Sequence, residues 1–496
     1  MEAYSLVGIQ TQNSSRGCIT SRDRSKPHYQ GRYVDKRLQQ TTQFNTGHPQ
    51  DEGHDQVWLS MAPVTDHAAQ FMAVKPDLIN WLSLVYIVVC IPCGPLASWA
   101  TDSFGLRFAL VTGGLLNGVG ALVRLLGVQD WMVTVLRGFP LVMTGQTVAA
   151  LAQPLLLFAP TKVAAVWFPE NQRAIANTIA SMANPLGIML TNVISPLIVH
   201  SAEQISTMLI VYAVPALLGT LLVICLMQRS APLMPPSIGA TTQSTQPFLI
   251  NIKQLFTNGP FLILLVCFGT GIGAITCFTT LLAQILCARG YTDEFSGICG
   301  ALTIAFGIVG AVITGMYVDR TKHFAQVGKI NFLLASLAAI AFALLCVQRD
   351  QAVAVAFSCS LLGLFGFSIY SVCLEVGVEC TYPVGEATST GLLFVSGQIQ
   401  ALILILLLQA LARPLSPADS VFVACKGSLM IPYDWTVSML VFAGVCVLAS
   451  SIFTLLFRAE LRRRKAEEEY RHLHEPHEPL PATTSAHLDQ TGIWEP

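Results

Sequence analysis

Two short clusters of charged residues interrupt a chain that is otherwise poor in charge. Asp102, Gly105 and Arg107 fall within ASWATDSFGLRF (97–108), and Gly315, Asp319, Arg320 and Lys322 within GMYVDRTKHF (315–324). Neither is set up for covalent chemistry. The 496 residues hold no nucleophile elbow, HExxH pair or Walker loop, so no enzyme, no ATP-driven pump and no catalytic residue is expected. The chemistry open to such clusters is electrostatic. An aspartate at the N-terminus of the helix that follows it gains about 0.3–1 kcal/mol from the helix dipole. A glycine beside it permits the tight turn that brings it there.

The elements that would position these clusters are apolar. Of the chain, 53% is hydrophobic and only 11% charged, with a mean hydropathy of +0.58, whereas a soluble domain carries about 25% charge. Runs of spanning length recur at 80–99, 108–128, 139–161, 175–199, 207–227, 260–286, 297–318, 330–347, 352–374, 389–412 and 435–457. Each approaches the ~30 Å hydrocarbon core of a bilayer, so these predict an all-α membrane protein with eleven spans. A twelfth, VWLSMAPVTDHAAQFMAV (57–74), is shorter and more polar, and Asp51, Glu52 and Asp55 precede it. Burying those carboxylates would cost about 2.5–3.5 kcal/mol each near the bilayer centre. A half-length first helix, with weak or absent transport, is therefore expected.

A Pro-, Ser- and Thr-rich stretch divides the chain at its middle. The resulting plan is a polar tail (1–56), a six-helix half (57–228), a linker (229–252), a second six-helix half (253–457) and a charged tail (458–496). Asp319 echoes Asp102 after the second run of its half, as an internal duplication would require. Seven of the 28 Lys and Arg residues lie in 1–56 and six in 458–496, which places both tails in the cytosol by the positive-inside rule. No basic stripe with interleaved aromatics suits nucleic acid. The 14 cysteines show no ligand spacing with histidine. Cys287, Cys299 and Cys425 read as three thiols near one membrane face, with one disulfide among them as the alternative.

Two six-helix halves, each with such a cluster after its second span, resemble the major facilitator superfamily. INWLSLVYIVVCIPCGPLASWATDSFGLR, AVWFPENQRAIANTIASMANPLG, YVDRTKHF and YPVGEATSTGLLFVSGQ resemble solute carrier family 49, the family of the feline leukaemia virus subgroup C receptors. The resemblance implies that Asp102 with Arg107, supported by Gly105, forms one cytosolic latch between the halves. Gly315, Asp319, Arg320 and Lys322 would form the second. Ser98 stands where the superfamily usually has glycine. The family moves small cationic or amine-bearing metabolites, choline and ethanolamine among them, and haem and pyridoxine have been assigned to members.

In the choline-transporting members a tryptophan and a tyrosine face the ammonium group and glutamines close the site. Trp58 matches the tryptophan, and it reads equally as a belt residue at the membrane interface. Thr276 stands at the tyrosine position, Pro185 replaces one glutamine, and Gln398 keeps the other. Asp66 and Glu375 are embedded carboxylates that could couple an ion, although Glu375, with Glu379 and Glu386, reads first as anchoring a loop. The expected partners are a small-molecule solute and the lipid bilayer, preferably the plasma membrane; no cofactor or metal is implied, and the oligomeric state stays open. Two readings follow: a transporter working by alternating access, or a transporter-shaped receptor, regulator or scaffold that no longer transports.

Overall fold

A computed structural model of the chain describes residues 60–129, 138–169, 171–232, 247–414 and 433–474. The first regular elements among the described residues are a 3-10 turn at Ala62–Val64 and helix α1, Thr65–Met72. Eight residues rise only ~12 Å, so α1 does not span. It ends at Ala73, whose φ of +52° is left-handed, and Pro76 then opens the next helix from its first position, where a missing N–H is harmless. Asp51, Glu52, Asp55 and Trp58 lie outside the described residues.

Eleven spans follow among the described residues. In the first half they are α2 (Pro76–Phe104), α3 (Leu106–Gly127), α4 with α5 (Phe139–Leu157 and Ala159–Trp167), α6 (Arg173–Ile198) and α7 (Ile205–Leu226). In the second they are α9 (Gly259–Cys287), α10 (Asp293–Thr321), α11 (Phe324–Leu345), α12 (Ala352–Thr381), α13 (Glu386–Leu411) and α14 (Thr436–Leu456). Helix α8 (Phe248–Thr257) begins inside the stretch taken from composition as linker, because FLINIKQLFT carries apolar residues at helical spacing behind Pro247. A two-residue antiparallel pair, β1 (Arg413–Pro414) with β2 (Tyr433–Asp434), ties the ends of α13 and α14. Helix α15 (Arg462–His474) closes the described chain.

Close helix packing rests on small residues. A Cβ on Gly120 of α3 would stand 2.7 Å from the Gly145 carbonyl of α4, so these two backbones touch. The outer surface is apolar, with Leu96, Leu197 and Val353 largely exposed, as a lipid-facing surface requires. Between the halves, α6 lies against α10 and α2 against α13.

The far ends of α9 and α14 meet in a polar knot. Arg289 pairs with Asp434 at 2.7 Å and donates to the Thr436 hydroxyl at 2.8 Å, and that hydroxyl donates to Asp434 at 2.6 Å. Nearby, Cys287 is disulfide-bonded. Its partner lies outside the described residues, since every other described cysteine, Cys299 included, is free. The reading of three thiols is corrected accordingly: spacing alone carries no information on which loop returns to meet Cys287.

Candidate functional site

Asp102 sits in the last turn of α2, just before Gly105, whose φ of +87° and ψ of 171° suit glycine almost alone. The turn does not deliver the carboxylate to the helix that follows, as the sequence reading supposed. It delivers it to α13, in the other half. The Asp102 carboxylate accepts from the amides of Ala387 at 3.3 Å and Thr388 at 2.8 Å, and from the Thr388 hydroxyl at 2.6 Å. A carboxylate at a helix N-terminus meets free N–H groups and the positive end of the dipole. Gly385 is the residue that admits it, because a Cβ there would occupy the space of the Asp102 carboxylate.

The cation beside Asp102 is Lys162 of α5, 2.7 Å away, which also donates to the Thr101 carbonyl at 2.9 Å. Arg107 is exposed, and its backbone amide, not its guanidinium, contacts Ser230 at 3.3 Å. Lys162 escaped the sequence reading. Its signal was a single cation inside the apolar stretch LFAPTKVAAVW.

The second cluster repeats the geometry with the halves exchanged. Asp319, in the last turn of α10, accepts from the amides of Ala174 at 3.1 Å and Ile175 at 2.7 Å, at the start of α6. Lys322 lies 3.7 Å from the Asp319 carboxylate, Arg320 is exposed, and Gly315 faces Thr178 of α6.

Moving away from the Asp102 face, α4–α5 and α13 present the same sequence of layers. Lys162 gives way to Phe158 and then Gln153, while Thr388 gives way to Phe394 and then Gln398. Phe158 stacks on Phe394 with centroids 5.7 Å apart, and Phe268 and Tyr370 pack around Phe394 at 6.2 and 5.6 Å. This aromatic layer joins the halves. Beside it a narrow pocket, with a volume of about 10 Å³, is lined by Gln153, Leu156, Leu157, Pro160, Ser181, Asn184 and Tyr370. The Gln153 carboxamide oxygen is buried without a hydrogen-bond partner.

Of the residues expected to hold substrate, Gln398 is buried on α13, with its carboxamide oxygen also unpartnered. Thr276 is half-buried on α9, and neither of them lines the cavity. Trp58 lies outside the described residues, as does the side chain of Asp66. Glu375 is buried on α12, one turn from Glu379 and within electrostatic reach of Arg173 and Arg463. Among the described residues no group of three or more His, Cys, Asp or Glu could hold a metal ion.

Comparison with known proteins agrees with this architecture. The family profile of the Major Facilitator Superfamily matches residues 56–404. The chain is 47% identical over 421 residues to solute carrier family 49 member A3 of Xenopus tropicalis, covering 84% of this chain and 87% of that one. It is 27% identical over 425 residues to the human choline/ethanolamine transporter FLVCR2, covering 83% and 76%. Among solved structures, the proton:xylose symporter XylE superimposes with a TM-score of 0.67 at 12% identity, covering 87% of this chain and 99% of that one. A bacterial homologue of ferroportin in its outward-facing state gives 0.60 at 14% identity, covering 84% and 98%. The chain therefore belongs to the major facilitator superfamily and, within it, to solute carrier family 49.

Proposed function

We propose that this protein carries a small amine or cationic metabolite across a membrane by alternating access, with the Asp102 face as its cytosolic gate in the closed position. The observation that carries this reading is the reciprocal capping. Each half supplies an aspartate to a helix N-terminus of the other, a contact that can break and re-form as the two halves part and rejoin. The pocket's lining, with an unpartnered amide oxygen, a serine hydroxyl and a tyrosine ring, suits a small polar solute once the halves part. The distant relatives named as choline/ethanolamine transporters point to the same class.

The orientation draws on two features. Basic residues crowd the tails, and the Cys287 disulfide, typical of an oxidising exterior, sits at the end of α9 opposite the gate. The C-terminal tail then faces the cytosol; a C-terminal epitope that stains intact cells would overturn this. The eight-residue α1 favours a second reading, a receptor or regulator that has lost transport. Uptake of labelled choline, ethanolamine and related amines into cells expressing the full chain separates the two. Saturable uptake that is reduced in Gln153→Leu supports the transporter. Background-level uptake of every amine by a chain present at normal levels in its membrane refutes it.

A further inference from the structure

Just past the last span, Phe457 is fully buried and stacked on Phe453 with centroids 4.4 Å apart. From this anchor the chain turns back beneath the bundle as α15, a helix rich in charge. Exposed charge is ordinary in such a helix, and Lys465 is an example: it is largely exposed and pairs only with Glu460, close by in the same tail. Arg463 is different. It has no solvent exposure, in a tail that composition alone would leave in water.

Its surroundings come from both halves. Arg463 Nη2 donates to the Ala165 carbonyl of α5 at 3.4 Å, and Nη1 lies 3.7 Å from Glu386 at the start of α13. Its Nε lies 3.7 Å from Glu467 of its own helix. Glu467 accepts in turn from Arg173 Nη2 of α6 at 3.3 Å, and Arg173 Nη1 lies 3.8 Å from Glu379 of α12. Glu379 accepts the Arg464 amide at 3.2 Å. Ala165 and Arg173 belong to the first half, Glu379 and Glu386 to the second. The tail helix is thus wedged into the seam between the halves, and the elements it joins, α6 and α13, are the two helices that the aspartates cap.

We propose that α15 is a third element of the gate, whose docking through Arg463 and Glu467 holds the Asp102 face closed and whose release accompanies opening. This rests on the reading of that face as a gate. A buried ion network suits such a role better than an apolar contact. Desolvation offsets most of what the pairs gain, and Arg463 Nε and Nη1 approach carboxylates without hydrogen-bonding them. On opening, every one of these groups returns to water. The network therefore couples the tail to the gate without fastening it permanently.

The test uses the full chain in permeabilised cells. Ser98→Cys serves as the reporter, because Ser98 is buried in the seam against Gly391. A membrane-impermeant thiol reagent is applied from the Asp102 side, the Ser98 chain serves as blank, and labelling is scored per molecule in the membrane. Arg463→Ala with Glu467→Ala should label about tenfold faster, within the range of ordinary coupling between sites. Lys465→Ala should match the parent. Arg463→Lys, which keeps the charge and loses the planar fork, should fall between; it gives a second reading of the same quantity if the alanine pair reaches the membrane poorly. Asp102→Asn with Asp319→Asn reports on the gate itself. If that variant labels faster while Arg463→Ala with Glu467→Ala stays within about twofold of the parent, the tail is only a passenger and the proposal fails. If neither rises, the gate reading fails with it.

Discussion

Replacing Asp102 by asparagine keeps the size of the side chain and removes its charge. The carboxylate accepts three hydrogen bonds across the seam, from the Ala387 amide and from the amide and hydroxyl of Thr388, and these are what the proposed gate would break on opening. The contact with Lys162 lies within one half, so parting the halves does not of itself break it. Only the three crossing bonds therefore bear on the balance between open and closed. A charged acceptor gains about 1.5–3 kcal/mol per bond against about 0.5–1.5 for a neutral one. The asparagine amide group also turns a donor toward donors. Asp102 is partly solvated, with 18% of its side chain exposed, so the summed loss is taken low, at about 2–3 kcal/mol. That shifts the open-to-closed ratio by roughly 30- to 150-fold. Spin labels at the exposed positions Ser103→Cys and His323→Cys, read by electron–electron distance measurement, should then show a longer distance between the halves. Adding Lys162→Met removes the stranded cation without restoring closure. A distance distribution in Asp102→Asn identical to the parent's would refute the reasoning, because no other term in the balance depends on that charge.

Gly385→Ala should open the same face, since the added methyl occupies the carboxylate's place; distances between the same labels should lengthen as in Asp102→Asn, and an unchanged distribution would show that the α13 terminus yields. On the opposite face, partial burial raises the Asp434 carboxyl, but bonds from the Thr436 hydroxyl and amide and the nearby Arg289 outweigh it and hold the carboxyl below its ordinary value. A carboxyl depressed on folding contributes stability above its unfolded value, near 3.9, and loses it only as pH falls through the lower folded one. Asp434→Asn should therefore lower thermal stability equally at about pH 7.4 and about pH 5, by about 0.2–1 kcal/mol for so exposed a pair. A gap that closes already at about pH 5 would contradict the depressed value.

The spans were legible because lipid imposes one requirement on every turn of a helix, and an apolar run of spanning length satisfies it in few other ways. Two runs match their helices to within a residue, 260–286 as Gly259–Cys287 and 435–457 as Thr436–Leu456, whereas 352–374 runs on to Thr381 and 330–347 begins already at Phe324. Asp102 and Asp319 stood out because charge is rare and the pattern occurs twice. What each aspartate caps was not legible. Helix amides carry no sequence signature, and Ala387 and Ala174 donate through atoms that every residue other than proline has. Nothing in the sequence ties Lys162 to Asp102, sixty residues away, and Arg107, beside the motif in sequence, is exposed instead. The docking of Arg463 was hidden for another reason. RAELRRRK reads as a solvated basic run, and only the fold brings Glu386 and Ala165 to it. The cavity shares that origin, since Gln153, Asn184 and Tyr370 come from three separate helices.

The reciprocal caps have the form of an isologous contact, in which residue i of one partner meets j of the other while j meets i. Two copies of a six-helix unit associating about a two-fold axis would make this contact twice, at no further cost in sequence information. Fused into one chain, the copies are free to drift apart, and they have. Asp102 keeps a lysine at 2.7 Å, from a neighbouring helix, whereas the lysine near Asp319 comes from three residues along its own chain and stands at 3.7 Å. The hydroxyl of Thr388 adds a third bond to Asp102, and Asp319 has two from backbone amides. A symmetric dimer must release both contacts with equal ease. This chain has acquired a tighter side, the α13 contact, and a looser one, the α6 contact, so that the two seams it inherited as equals now differ in strength.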